Sequence, residues 1–375
     1  LLGILLAIIL LIVYGSLYPW HFAARELPAS PLYLLLHSWQ LATGRRAIAD
    51  IVLNVAIYVP QGMSGYLAFR RFRWTGPILL GASLSACIEM AQLYTPGRQC
   101  SAVDLTTNIA GSALGVMAGR MFESMSGTIR PNLRRAADPS ALALLYCWFA
   151  SMLFPLFPDT SLPDWRHKAL AFVHGPWLSP VSLISAAASW FAVATLLRRT
   201  TLRRPGAWLI ASLTLIPAQI LIATRQPAPV QLAGAAAGIT VFLLFHRRMS
   251  AIPAWGFLGV LAIRGLAPFQ PVALARHFGW IPFAGFLGAE WQYAIPILLE
   301  KLFDYGAAIW LLRDSGLRWS AAIGPVCAVL AVIEVAQIHL PGRTPEITDP
   351  LLGLLAGLGL IAIGKRRVIG YHAIS

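Results

Sequence analysis

Apolar positions along this chain neither alternate nor form a helical stripe; they come in long runs broken by proline, glycine and short basic clusters. The runs predict about twelve helical spans, roughly at 1–18, 47–68, 75–94, 103–121, 140–157, 177–197, 206–223, 229–246, 253–269, 291–312, 318–338 and 348–364. Runs of about 18 apolar residues or more are long enough to cross the hydrocarbon core of a bilayer. The fold class expected is all-α, a polytopic transmembrane helical bundle. The chain opens inside an apolar run without Met, so a few residues are expected upstream. No cleavable leader is expected, because no small-residue cleavage site follows that run.

One polar hairpin recurs. Ile88–Leu105 reads IEMAQLYTPGRQCSAVDL and Ile333–Pro350 reads IEVAQIHLPGRTPEITDP, with Glu89, Gln92, Arg98 and Asp104 each 245 residues before Glu334, Gln337, Arg343 and Asp349. A weaker copy lies between, where Gln219, Arg225, Gln226, Val230 and Gly238 follow Gln92, Arg98, Gln99, Val103 and Gly111 by 127 residues. Fixed-period similarity marks repeated architecture. The twelve spans therefore divide into three four-helix units, at 1–121, 140–246 and 253–366. The middle unit carries Ile216 and Gln231 in place of the two acids and is expected to be scaffold.

Composition agrees with the spans. Hydrophobic residues make up 58% of 375, and the mean hydropathy of +0.68 exceeds what a soluble core of this size can hide. The net charge of +14 does not indicate nucleic acid, because the basic residues stand in short clusters between apolar runs and form no stripe with interleaved aromatics. They instead set topology. Eighteen lie on one side of the predicted bundle: Arg70, Arg71, Arg73, Arg120, Arg130, Arg134, Arg135, Arg198, Arg199, Arg203, Arg204, Arg247, Arg248, Arg313, Arg318, Lys365, Arg366 and Arg367. Ten lie on the other, among them Arg45, Arg46, Arg98, Arg264 and Arg343. The positive-inside bias then puts both termini in the cytoplasm and the Pro-Gly-Arg turns outside.

The four cysteines lack disulfide or metal-ligand spacing and read as packing residues. His21, His37, His167 and His174 are scattered near interfaces, and neither a metal set nor a cofactor fingerprint is present. Trp20, Trp39, Trp165, Trp177, Trp280 and Trp291 fall near predicted outer boundaries, as an aromatic belt does. Gly279 to Glu290 is expected to be a short interfacial or re-entrant segment.

The candidate chemistry sits in the hairpins. Glu89 and Gln92 share a helix face, Pro96-Gly97 breaks the helix, and Asp104 and Asn108 open the next span on the face of Gly111, Gly115 and Gly119. That glycine stripe lets helices approach closely. Asp50 and Asn54 form a second polar face on a span kinked at Pro60. Glu300 and Asp304, with Lys301 as a partner, occupy the matching place in the third unit, where they join Glu334, Gln337, Arg343 and Asp349 in a second candidate cluster. Ionisable groups inside a membrane are costly and mark sites by default. The competing reading makes each cluster a staple, with Arg bridging Glu and Asp and no ligand, and makes Asp50 and Asn54 interhelical hydrogen-bond partners.

Asp50-Ile-Val-Leu-Asn54, Tyr58-Val-Pro60-Gln-Gly62, Glu89-Met-Ala-Gln92, Gly97-Arg98, Asp104-Leu and Asn108-Ile-Ala-Gly111 together resemble the VanZ-like family of integral membrane proteins. The resemblance covers roughly residues 10–121 well and 264–366 in part. It implies a bacterial cytoplasmic membrane and an envelope setting, since the family's namesake is associated with resistance to the glycopeptide teicoplanin and relatives occur near envelope polysaccharide genes. No defined reaction comes with it. It places the site first in residues 50–108.

The function expected is engagement of an envelope glycan or its lipid-linked precursor at the outer leaflet, without catalysis. Arg98 suits phosphate or carboxylate, while Glu89, Gln92, Asp104 and Asn108 read hydroxyls. A membrane-embedded hydrolase or transferase using the paired carboxylates remains an alternative, as does a structural subunit of a polysaccharide-synthesis or sorting complex. Membrane lipid is the expected partner, nucleic acid is not, and oligomeric state stays open.

Overall fold

The computed structural model describes residues 2–39, 45–69, 71–128, 138–154, 159, 161–174, 179–200, 205–222, 225–245, 251–273 and 275–372. Among residues named above, Arg70, Arg130, Arg134, Arg135, Arg203, Arg204, Arg247, Arg248 and Trp177 lie outside the described residues. So do the side chains of Arg45, Arg46, His174, Lys365, Arg366 and Arg367. The described chain is helical, and it divides into two compact units, Leu1–Arg130 and Pro131–Ser375.

The first unit contains α1 (Leu2–Leu17), α2 (Pro31–Leu36), α3 (Arg45–Ala68), α4 (Gly76–Gln92) and α5 (Ala102–Thr128). Helices α3 and α5 pack most closely, and the glycines explain why. A Cβ on Gly111 would collide with the Val55 carbonyl, and one on Gly115 with the Val59 carbonyl, so backbone meets backbone along the stripe. Between the helices runs a buried polar chain. Gln61 Nε2 donates to the Pro77 carbonyl at 3.0 Å, Ser112 Oγ to Gln61 Oε1 at 2.8 Å, and Asn108 Nδ2 to Ser85 Oγ at 2.9 Å. These bonds tie α3, α4 and α5 together and give the buried donors their partners. At the opposite end of α3, Arg73 grips Glu123 with bonds of 2.6 and 2.8 Å, and the Tyr66 hydroxyl donates to the same carboxylate at 3.0 Å.

The second unit contains α6 (Pro139–Leu153), α7 (Leu162–His174), α8 (Pro180–Arg199), α9 (Pro205–Leu213), α10 (Leu215–Ala218), α11 (Val230–Phe245), α12 (Ala251–Leu266), α13 (Ala284–Gly288), α14 (Trp291–Asp314), α15 (Trp319–Gln337) and α16 (Thr348–His372). Its centre is α14, buried continuously from Phe303 to Leu312 and packed on α6, α12, α15 and α16. Trp148 of α6 meets Trp190 of α8 edge to face at 5.0 Å and Phe303 of α14 at 6.4 Å. One apolar core therefore runs through both the 140–246 and 253–366 segments.

Among the described residues each predicted span falls mostly on helix, with one interruption. The span at 206–223 breaks into α9, α10 and a 3-10 turn at Gln219–Leu221. Pro217 lacks the N–H that would bond the Leu213 carbonyl four residues back. Among the described residues three helices, Asp50–Ala68, Pro180–Arg199 and Trp319–Gln337, are long and apolar enough to cross a membrane, and six shorter apolar helices accompany them. These lengths and compositions are consistent with an integral membrane protein. Gly279 to Glu290 contains the five-residue α13, entered through Phe283 in a left-handed conformation.

Candidate functional site

In the first hairpin, the C-terminal end of α4 presents Glu89 and Gln92, and a turn with Gly97 at φ +78° leads into α5. Glu89 Oε2 accepts the Ser101 backbone N–H at 2.9 Å, while Ser101 Oγ caps α5 by accepting the Asp104 N–H at 3.1 Å. Gln92 Nε2 donates to the Ser16 carbonyl at the end of α1, 2.9 Å away. From α3, Asn54 and the exposed Asp50 stand near Asp104. Asn108 lies deeper, and its amide is committed to Ser85.

Arg98 departs from the bridging role anticipated for it. Its side chain is exposed, and among the described residues it forms no ion pair with Glu89 or Asp104. Glu89 is served instead by a main-chain amide. Tyr58, which the sequence offered only as part of a kinked span, is buried beside Ser85 and Glu89.

The second hairpin repeats this wiring. Glu334 Oε2 accepts the Glu346 N–H at 2.7 Å, again twelve residues downstream, and Gln337 Nε2 donates to the Gly265 carbonyl at the end of α12 at 2.9 Å. The turn carries Gly342 at φ +70°. Loop pairing matches as well: Ala23 N–H bonds Tyr94 O at 2.8 Å, and Val272 N–H bonds His339 O at 2.7 Å. In the middle segment Asp159 N–H bonds Leu221 O at 2.7 Å, and Leu221 stands 127 residues after Tyr94.

Arg343 also does something other than bridge acids. Its Nε and Nη2 donate to the Ala267 carbonyl at 3.0 and 2.9 Å, and Nη2 donates to the Arg264 carbonyl at 2.9 Å. Arg225 likewise donates to the Phe154 and Ser151 carbonyls near the end of α6. The physical reason is that the last carbonyls of a helix have no intrahelical donor, and a guanidinium can serve several of them together.

Charge pairing in the second cluster runs between helices. Arg264 of α12 bonds Asp304 at 2.5 Å and Glu300 at 3.1 Å. Lys301, expected beside Glu300 and Asp304, reaches Asp349 instead at 2.5 Å, and the Tyr305 hydroxyl donates to the other Asp349 oxygen at 2.7 Å. Glu334 lines the same cavity as Asp349. Glu346 accepts from Thr348 Oγ1 at 2.8 Å, and Thr348 in turn accepts the Phe283 N–H at 2.8 Å, which anchors the segment before α13.

These groups surround a cavity of about 480 Å³. Its polar wall is Arg264, Glu300, Lys301, Glu334, Arg343, Glu346 and Asp349; its apolar wall includes Leu261, Phe286, Ile297, Leu330 and Ile333. Tyr293 and Ile297, one turn apart on α14, border it with exposures of 53% and 47%. Five of the six residues expected in this cluster line the cavity, and Asp304 lies behind Arg264. Tyr305, Thr348 and Arg264 were not read from sequence as site residues. Arg264 had a usable signal, a cation inside an apolar helix. Among the described residues no three His, Cys, Asp or Glu side chains converge on a metal position.

Residues 1–123 match the family model VanZ/LLP1, which covers α1 to α5 as far as Glu123. No curated protein and no solved structure matches the chain.

Proposed function

We propose that the protein is a bacterial inner-membrane protein that binds an envelope glycan or its lipid-linked precursor at the outer leaflet, through polar hairpins repeated along the chain. The observation that carries this reading is the 480 Å³ cavity, with ionic groups on one wall and Leu261, Phe286, Leu330 and Ile333 on the other. A cavity so divided suits an amphiphile with a polyol or charged head, and convergent polar groups in an apolar pocket are the usual form of a ligand site. The VanZ/LLP1 match over residues 1–123 supports the membrane setting. Twelve spans with both termini cytoplasmic follow from the basic clusters. Three repeated units are supported by the loop bonds at Tyr94, Leu221 and His339 and by the shared Glu-to-amide bonds.

The C-terminal hairpin is the better-equipped site, because it joins Asp349 to Lys301 and Tyr305 and sets Arg343 in the wall of the same cavity. A hydrolase or transferase is the second reading. It is favoured by Glu334 and Asp349 lining one cavity, two carboxylates whose different partners suit them to unlike roles.

The test is to purify the full chain in native-lipid discs and identify retained lipids and glycans by mass spectrometry, beside Ala289→Trp. Ala289 is exposed at the cavity edge, so the indole fills the mouth without disturbing the core. A glycan or lipid-linked sugar retained by the wild type and lost from Ala289→Trp is the expected result. The same retained set in both proteins would defeat the reading.

A further inference from the structure

Resting on that reading, we infer that the cavity selects an amphiphile whose head carries a phosphate beside a hydrogen-bond donor, either hydroxyl or ammonium. Arg343 holds the phosphate, and Glu334 and Glu346 take the donor.

The argument is one of charges left over. Arg264 is engaged by Glu300 and Asp304, and Lys301 by Asp349. Among the described residues Arg343, Glu334 and Glu346 line the same cavity with no ion partner within salt-bridge distance. A cation and carboxylates that remain unpaired within one partly apolar cavity are costly unless a ligand brings the complement. A purely anionic head satisfies only Arg343, and a purely cationic head only the acids. A head bearing both satisfies all three.

Local geometry agrees. Arg343 is held by carbonyls through Nε and Nη2, which orients the guanidinium and leaves Nη1 without a partner among the described residues. A guanidinium fixed in this way is a pre-oriented phosphate donor. Glu334 Oε2 accepts the Glu346 N–H, which leaves Oε1 without a partner among the described residues and open to a donated proton. Glu346 Oε2 accepts from Thr348 and leaves Oε1 for a ligand. The exposed Tyr293 and Ile297 give the apolar tail a path from the cavity, which a soluble sugar phosphate would not use.

The experiment is native mass spectrometry of the detergent-purified full chain, titrated with five amphiphiles. Phosphatidylethanolamine offers phosphate and ammonium, phosphatidylglycerol phosphate and hydroxyls, and a polyprenyl-phosphate-linked hexose phosphate and sugar. Phosphatidylcholine offers phosphate without a donor, and a diacyl glucosylglycerol offers hydroxyls without phosphate. The first three should be retained at least about tenfold better than the last two. Either order among those three supports the proposal, and it identifies bulk lipid or glycan precursor as the source. Arg343→Gln should erase the advantage over the glucosylglycerol. Because that change also frees helix-end carbonyls and can unfold the protein, Glu346→Gln is the second arm. It keeps an acceptor for Thr348 and should reduce the advantage of phosphatidylethanolamine over phosphatidylcholine. Retention of all five alike, or an unchanged ranking in folded Glu346→Gln, would overturn the proposal while leaving lipid binding intact. Retention of none would overturn both this proposal and the function on which it rests.

Discussion

Replacing Arg264 by Met tests the interhelical charge pairing behind the cavity. Arg264 holds Asp304 at 2.5 Å, and the Asp304 side chain is 1% exposed, so the variant leaves a carboxylate stranded in the core of the second unit. Breaking one partner out of a buried pair costs about 3 to 5 kcal/mol. The Arg264 side chain is 30% exposed, which puts the expected loss at the lower end, about 3 kcal/mol, or more than a hundredfold in the folding equilibrium. Glu300, the other partner, is 57% exposed, and Glu300→Gln should cost no more than about 1 kcal/mol. The double variant Arg264→Met/Asp304→Leu removes both buried charges and should recover most of the loss, because apolar replacements of a buried pair are often neutral or better. Equilibrium unfolding in mixed micelles, for both single variants and the double, measures the coupling. If the double variant is as unstable as the sum of Arg264→Met and Asp304→Leu, the side chains are uncoupled and the pairing does not hold α12 to α14.

Gly115→Leu should cost several kcal/mol or prevent folding of the first unit, since its Cβ alone would meet the Val59 carbonyl; Gly256→Ala, with open space around it, should instead stabilise by up to about 1 kcal/mol, both read by thermal unfolding. Asn108→Ala should cost about 1 to 3 kcal/mol, because it removes the bond to buried Ser85; a change in envelope phenotype without loss of stability would show that the amide does more than join α4 to α5. In a cysteine-free background, Arg98→Cys should react with an impermeant thiol reagent in intact cells and Arg71→Cys should not; the reverse pattern would invert the proposed topology.

Much of the architecture was legible because bilayer-length apolar runs leave little choice of secondary structure. The glycine stripe was legible too, since residues at i, i+4 and i+8 must share a helix face whatever lies opposite. Side-chain pairing was not. Lys301 stands beside Glu300 in sequence yet reaches Asp349, because neighbours along a helix point about 100° apart while residues on packed helices can face each other. Arg98 and Arg343 occupy equivalent positions in the hairpin pattern, yet only Arg343 serves the helix-end carbonyls, and spacing within a hairpin carries no information about a distant helix end. The break at Pro217 was visible as a proline in an apolar run, but Pro60, Pro296 and Pro325 sit inside continuous helices, so proline alone does not decide.

The bonds from Glu89 to residue 101 and from Glu334 to residue 346 end on main-chain N–H groups. Any residue except proline supplies that donor, so the hairpin stays closed whatever side chain the receiving position bears. Residue 101 is a serine that caps its helix, whereas residue 346 is a glutamate that lines a cavity. Closing a hairpin through the backbone frees one position in each of these two hairpins for new chemistry, and an altered specificity can be installed there without redesigning the turn that presents it.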